Sequence, residues 1–136
     1  KGEFYDIPEL KLCPAPTKPV PILIGGHSKL ALKRAARLGD GWISAGLNLE
    51  ETKVLIDQIN TFREEFGTLN HPNYQFQVMG EAAYSPDGVK QLEEIGATEV
   101  IVAFRNTYKG GADTRTLKGM IEEIDWYAEE VISKAR

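Results

Sequence analysis

The sequence predicts an α/β fold in which strand-then-helix units repeat around a parallel sheet. Three observations carry this. Apolar runs at 21–24, 42–45, 74–82 and 99–104 alternate with stretches of helical periodicity. The gap between a helix stop and the next strand is short, as at Gly39-Asp40-Gly41 before Trp42. The chain has 136 residues, 42% of them hydrophobic, enough to bury one real core in a single domain spanning 1–136. Four βα units in a row imply parallel strands joined by right-handed crossovers. Two architectures fit: a small open α/β sheet, or half of a (β/α)8 barrel, which needs about 250 residues in full.

Residues 1–20 form a proline-rich approach, with Pro8, Pro14, Pro16 and Pro19 ahead of Pro21. Proline fixes φ and lacks an N–H donor, so the segment is extended. Its Phe4, Tyr5, Ile7, Leu10 and Leu12 are too apolar for a free linker and predict a strap pinned across a larger body. The apolar run at 21–24 predicts a strand buried on both faces. Gly25-Gly26 then turns into a helix over 28–38, with Ser28 as N-cap and Leu30, Ala31, Ala35 and Leu38 on its inner face. A second strand covers 42–45. Asn48 and Glu51 have capping-box spacing, and Leu55, Ile59, Phe62 and Phe66 mark the stripe of the helix behind them. In the strand over 74–82, Phe76 and Val78 alternate with Gln75 and Gln77, and Glu81 falls near its end. Ser85-Pro86-Asp87 predicts a capped helix start with proline in the first turn, and Val89, Leu92 and Ile95 its apolar side. A fourth strand spans 99–104. The last helix starts at Asp113 or Thr114 and buries Leu117, Ile121, Ile124, Ala128 and Val131.

Composition excludes several function classes. A net charge of −4 and a pI near 5.2 argue against a nucleic-acid surface. One cysteine, Cys13, rules out an internal disulfide framework and fits a reducing, cytoplasmic setting. No apolar run reaches membrane-spanning length. No His/Cys/carboxylate spacing suggests a metal. Because the chain opens on Lys1 rather than methionine, we expect it to be part of a longer protein.

In both architectures function gathers at the C-terminal ends of the strands. The first of these ends holds Gly25, Gly26, His27 and Ser28. Two glycines admit a phosphate close to the backbone, and the free amides and dipole of a helix start attract it. A tight turn that binds nothing explains the same residues. Glu81, Arg105 and Lys109 stand at later strand ends or loops and are candidates for substrate or anion contact, against the plainer readings of a salt bridge and a solvated basic loop. His27 and Asp40 could act in catalysis, but exposure and turn-capping account for them, and no residue stands out as catalytic.

The run Gly2-Glu3-Phe4-Tyr5, then Pro14-Ala15-Pro16, Pro19 to Gly26, and Ala31 to Trp42 ending in Gly39-Asp40-Gly41-Trp42, resembles the bacterial luciferase-like superfamily. The nearest branch is the one labelled probable F420-dependent oxidoreductases. The resemblance is strong over 2–45 and rests on element order beyond that. It implies a TIM-type barrel binding FMN or the deazaflavin F420 at its C-terminal face, with this chain as strands five to eight. It assigns the cofactor phosphate to Gly25, Gly26, His27 and Ser28, the neighbourhood of the ring system to Ser44 and Ala45, and packing near the cofactor to Leu23 and Ile24. The expected activity is hydride transfer or monooxygenation of a small organic substrate. A non-catalytic half-barrel module and a non-redox phosphate-binding barrel are the alternatives. Open barrel edges lead us to expect a homo-oligomer that buries them.

Overall fold

The computed structural model describes residues 1–11, 13–105 and 113–135. The elements run β1 (Leu23–Gly25), α1 (Lys29–Leu38), β2 (Gly41–Ile43), α2 (Leu49–Glu65), β3 (Gln75–Val78), a 3-10 turn (Glu81–Tyr84), α3 (Pro86–Glu94), β4 (Glu99–Val100), α4 (Leu117–Tyr127), a π turn (Ala128–Ile132) and α5 (Ser133–Ala135). The four strands form one all-parallel sheet in the order β1-β2-β3-β4, the arrangement of a half barrel.

Helix starts are set locally, and the sequence placed most of them. Ser28 Oγ accepts from the Ala31 amide at 3.3 Å, and Ser85 Oγ from Gly88 at 3.1 Å with proline behind it. The capping box closes in both directions: Asn48 Oδ1 accepts from Glu51 N, and Glu51 Oε2 from Asn48 N. Each cap contributes about 1 kcal/mol. The last helix departs from expectation and begins at Leu117, capped by Thr116. Asp113 is committed instead to the Arg115 amide and guanidinium, which folds the chain into a turn ahead of the helix.

The core lies on one side of the sheet. Leu32, Ala35 and Ala36 of α1 and Ile56, Ile59 and Phe62 of α2 close over Trp42 and Phe76. Leu92 of α3 covers Val78 and Val100. A fully buried Leu32 alone contributes about 1.5–3 kcal/mol. Three helix faces are rotated from the expected ones. In α1, Leu30 and Leu38 face solvent while Leu32 and Ala36 are buried. In α2, Ile56 rather than Leu55 or Phe66 joins Ile59 and Phe62 inside. In α4, Leu117, Ile121 and Ile124 are exposed, and Tyr127 and Val131 make the inward contacts.

The strands are shorter than the apolar runs. β1 is an edge strand with Ile22 exposed and Leu23 and Ile24 only half-buried, so burial on both faces does not hold. Asp40 stitches it down: its amide donates to the Ile22 carbonyl, its Oδ2 accepts from the Ile22 amide at 2.8 Å, and its carbonyl accepts from Gln75. The carboxylate expected to cap amides of its own turn caps a strand amide 18 residues away instead. β3 ends at Val78 because the chain turns into the 3-10 helix, and Glu81 heads that helix rather than ending a strand. β4 loses its neighbour there. Beyond Ile101, whose amide reaches the Val78 carbonyl, the Tyr84 hydroxyl takes over, donating to the Ala103 carbonyl and accepting from its amide.

Phe76 and Val78 turn toward the helices, and Gln75 and Gln77 alternate to the other face, as the periodicity requires. On that helix-free face both glutamine amides donate to the Glu99 carboxylate across the β3–β4 ladder. Below the sheet, the buried Arg63 guanidinium stacks 3.8 Å from the Tyr74 ring centroid and donates to Asn60, Thr68 and Leu69. Burial lowers the Arg63 pKa and pushes the Tyr74 phenol up to about 12, since each charged form is poorly solvated there.

Candidate functional site: the C-terminal ends of the strands

Two features stand side by side at this end of the sheet. The first is the β1–α1 turn. Gly26 has φ 109°, a conformation that excludes ordinary side chains, and a Cβ there would come 2.9 Å from Ala31 Cβ. The turn is tied to the sheet from beneath: the fully buried Trp42 donates Nε1–H to the Gly26 carbonyl at 2.9 Å. His27 is exposed, its ring edge-on to Trp42 with centroids 6.1 Å apart. Ser28 satisfies the Ala31 amide, and helix geometry leaves the amides of Lys29 and Leu30 without intrahelical partners. Gly25, Gly26, His27 and Ser28 are all solvent-accessible, so the bare backbone and the positive helix end face outward together. Leu23 and Ile24 sit half-buried in β1, Ile24 against the helix-side core.

The second feature is a cleft of about 1100 Å³ over the ends of β2, β3 and β4. Its walls come from three loops, 45–51, 79–84 and 103–105, and are largely apolar: Ala45, Leu47, Leu49, Met79, Ala82 and Ala103. The loops are held close. The Gly46 amide donates to the Met79 carbonyl at 3.0 Å, and a Cβ on Gly80 would meet the Leu47 carbonyl at 2.6 Å, so only glycine permits this approach.

Of the residues expected at a site, the structure brings Glu81 and Arg105 into this cleft. Ser44 is fully buried beneath it, its hydroxyl accepting from the Met79 amide at 3.4 Å; the neighbouring Ala45 reaches the wall in its place. Gly25 to Ser28 belong to the adjoining turn and are not on the cleft wall. Lys109 lies outside the described residues. Leu47, Met79, Tyr84 and Ala103 were not singled out by the sequence. Their one signal is position, within a few residues of a strand's C-terminal end.

The charges at the rim are mostly committed. Arg105 pairs with Asp113 at 3.5 Å. Arg115 holds Asp113 with three donors and reaches Glu123 at 2.7 Å and the Phe104 carbonyl at 2.9 Å. The Arg115 hydrogen bonds, helped by the charges of Arg115 and Arg105, hold the Asp113 carboxyl well below the usual carboxylate range. Arg105 is thus drawn, with Arg115, into an ion network around Asp113. Among the described residues there is no group of three or more His, Cys, Asp or Glu that could hold a metal ion, and no helix is long and apolar enough to cross a membrane.

Uncharacterized proteins of Mycobacterium bovis (strain ATCC BAA-935 / AF2122/97) and Mycobacterium tuberculosis (strain ATCC 25618 / H37Rv) are each 46% identical to the chain over 133 residues, covering 98% of it and 45% of their own length. The chain thus spans about half the length of these curated relatives. The sequence profile of the luciferase-like monooxygenases matches residues 1–87, which include β1, the Gly25–Ser28 turn and the first wall of the cleft. On that match the chain belongs to the luciferase-like monooxygenase family.

Proposed function

We propose that the chain is the cofactor-phosphate-binding part of a luciferase-like oxidoreductase, contributing strands five to eight of its barrel. The observation that carries this is the β1–α1 turn: exposed glycine backbone, a Ser28-capped helix end, and first-turn amides of Lys29 and Leu30 that have no hydrogen-bond partner among the described residues. These residues fit the anionic phosphate on the ribityl chain, a monoester in FMN and a diester in F420. When bound, FMN would supply hydride transfer or oxygen activation, and F420 hydride transfer, chemistry that side chains lack. The chain's own part is to hold and orient. Gly25, Gly26, His27 and Ser28 seat the phosphate, Trp42 fixes the turn through the Gly26 carbonyl, and Leu23 and Ile24 pack the strand that carries it. Ser44 pins Met79 and so sets Ala45 on the cleft wall, where the cleft with Glu81 and Arg105 receives a small organic substrate.

Titration with FMN and with riboflavin tests the phosphate reading. FMN should bind at least about tenfold more tightly, and a bulky Gly26→Val variant should erase that advantage. Equal binding of the two flavins, or an advantage indifferent to Gly26, would sink it. F420 run in parallel distinguishes the two cofactors. Phe4, Tyr5, Leu117 and Ile124 are exposed, which supports a homo-oligomer that covers them. Light scattering showing a stable monomer would remove that part. The single cysteine supports a cytoplasmic location.

A further inference from the structure

The cleft's polar groups can be taken one at a time. Asn48 and Glu51 are spent on each other's amides in the capping box. The Tyr84 hydroxyl is saturated by both backbone groups of Ala103. The Arg105 cation is met by Asp113. Glu81 is left. It is exposed in the cleft, heads the 3-10 turn, and has no hydrogen-bond or ion-pair partner among the described residues. We infer that Glu81 determines substrate class here: the cleft takes a largely apolar organic molecule that presents an ammonium or hydroxyl donor to this carboxylate, and it rejects organic anions. This deepens the substrate side of the function proposed above and rests on reading the cleft as that side.

The charge balance gives the direction. Among the described residues of the walls, Glu51 and Glu81 bring two carboxylates, while Arg105 is the cation and already has its counterion. An incoming carboxylate would therefore meet net negative charge at close range beside a mostly apolar wall. An amine or alcohol on the same apolar body would lose nothing to repulsion and gain a charge-assisted hydrogen bond. The anionic end of the cofactor is directed to the neighbouring β1–α1 turn, so the two subsites have opposite charge preference.

Three fluorescent probes sharing one ring test this on the chain without cofactor: 1-naphthylmethylamine, 1-naphthylmethanol and 1-naphthoate. The amine and the alcohol should bind, with naphthoate at least about tenfold weaker than the amine. Glu81→Gln should weaken the amine about tenfold, strengthen naphthoate, and move the alcohol by less than about threefold. Glu81→Asp, which keeps the charge, should preserve the order. Ala103→Trp, which puts an indole on the cleft wall, should weaken all three probes, and an unchanged far-ultraviolet spectrum shows that each variant folds. The inference is overturned if naphthoate matches the amine, if Glu81→Gln leaves the order intact, or if no probe binds. FMN against riboflavin, measured on the same samples, reads the phosphate turn separately. A normal FMN preference with a failed probe series would overturn the Glu81 assignment alone.

Discussion

Replacing Gly26 with alanine isolates the geometry on which the turn depends. The new Cβ meets two obstacles. At φ 109° an L-residue is held in a sparsely populated region, which costs about 1–3 kcal/mol. The Cβ also lies 2.9 Å from Ala31 Cβ, well inside the ordinary carbon–carbon separation of about 3.5–4.0 Å. Ala31 cannot retreat freely, because α1 is packed against α2 and the sheet through Leu32, Ala35 and Ala36. Overpacking of this kind costs about 1–3 kcal/mol. The sum, about 2–6 kcal/mol, is a large share of a small domain's stability. Urea unfolding followed by circular dichroism should show a lower midpoint with an unchanged slope. The double variant Gly26→Ala/Ala31→Gly separates the two causes. It removes the methyl–methyl contact and leaves the dihedral cost, so the pair should show a coupling of about 1–3 kcal/mol in the relieving direction. A Gly26→Ala protein within about 0.5 kcal/mol of the parent, or a coupling of zero, would refute the reasoning.

Three further outcomes are expected. Trp42→Phe keeps an aromatic ring in the core but strips the Gly26 carbonyl of its donor; it should cost about 1–3 kcal/mol, and hydrogen exchange should reveal faster opening across 25–28. Leu32→Ala, at a fully buried site, should cost about 2–5 kcal/mol in the same urea assay, against a near-neutral Leu30→Ala two positions away. Tyr74 gives the pH dependence. Its folded pKa is raised to about 12, so the folded state holds the phenolic proton after the unfolded chain has released it. The associated stability is fully present below about pH 10 and is lost as pH climbs through about 12, on the order of 2 kcal/mol. Tyr74→Phe should flatten that alkaline fall. Because the hydroxyl has no partner among the described residues, it should not lower stability at neutral pH, and a clear loss there would mean that the hydroxyl is bonded.

The features readable from sequence were those decided by a few neighbouring residues. Ser28, Asn48 and Ser85 each cap a helix through an amide three positions on, and the βα rhythm needs only local periodicity. The Gly25–Ser28 turn was legible for the same reason, since its parts are adjacent in the chain. Helix rotation was less accessible. With apolar residues at 30, 31, 32, 35, 36 and 38, α1 could present either of two overlapping stripes, and contact with α2 and Trp42 selected the one through Leu32 and Ala36. The exposed apolar residues of α4 satisfied the period and found nothing to pack on. Strand lengths were overestimated because an apolar run marks burial, while a ladder also needs a neighbour in register. The cleft was the hardest to see. Its walls come from three separated loops, and the isolation of Glu81 emerges only when the partners of Asn48, Tyr84 and Arg105 are known.

The Gln75–Gln77–Glu99 trio has a consequence for whatever comes to lie against the helix-free face of the sheet. A purely greasy cover would strand a carboxylate away from water, and two amide donors do not fill all of its lone pairs. A cover bearing guanidinium, ammonium or hydroxyl groups at the matching level would meet it. A second copy laid on in the same register would instead point another Glu99 at the first. The trio therefore works as a password on this surface: it admits a donor-bearing partner seated at one height along the strands, and it penalises mismatched ones by several kcal/mol.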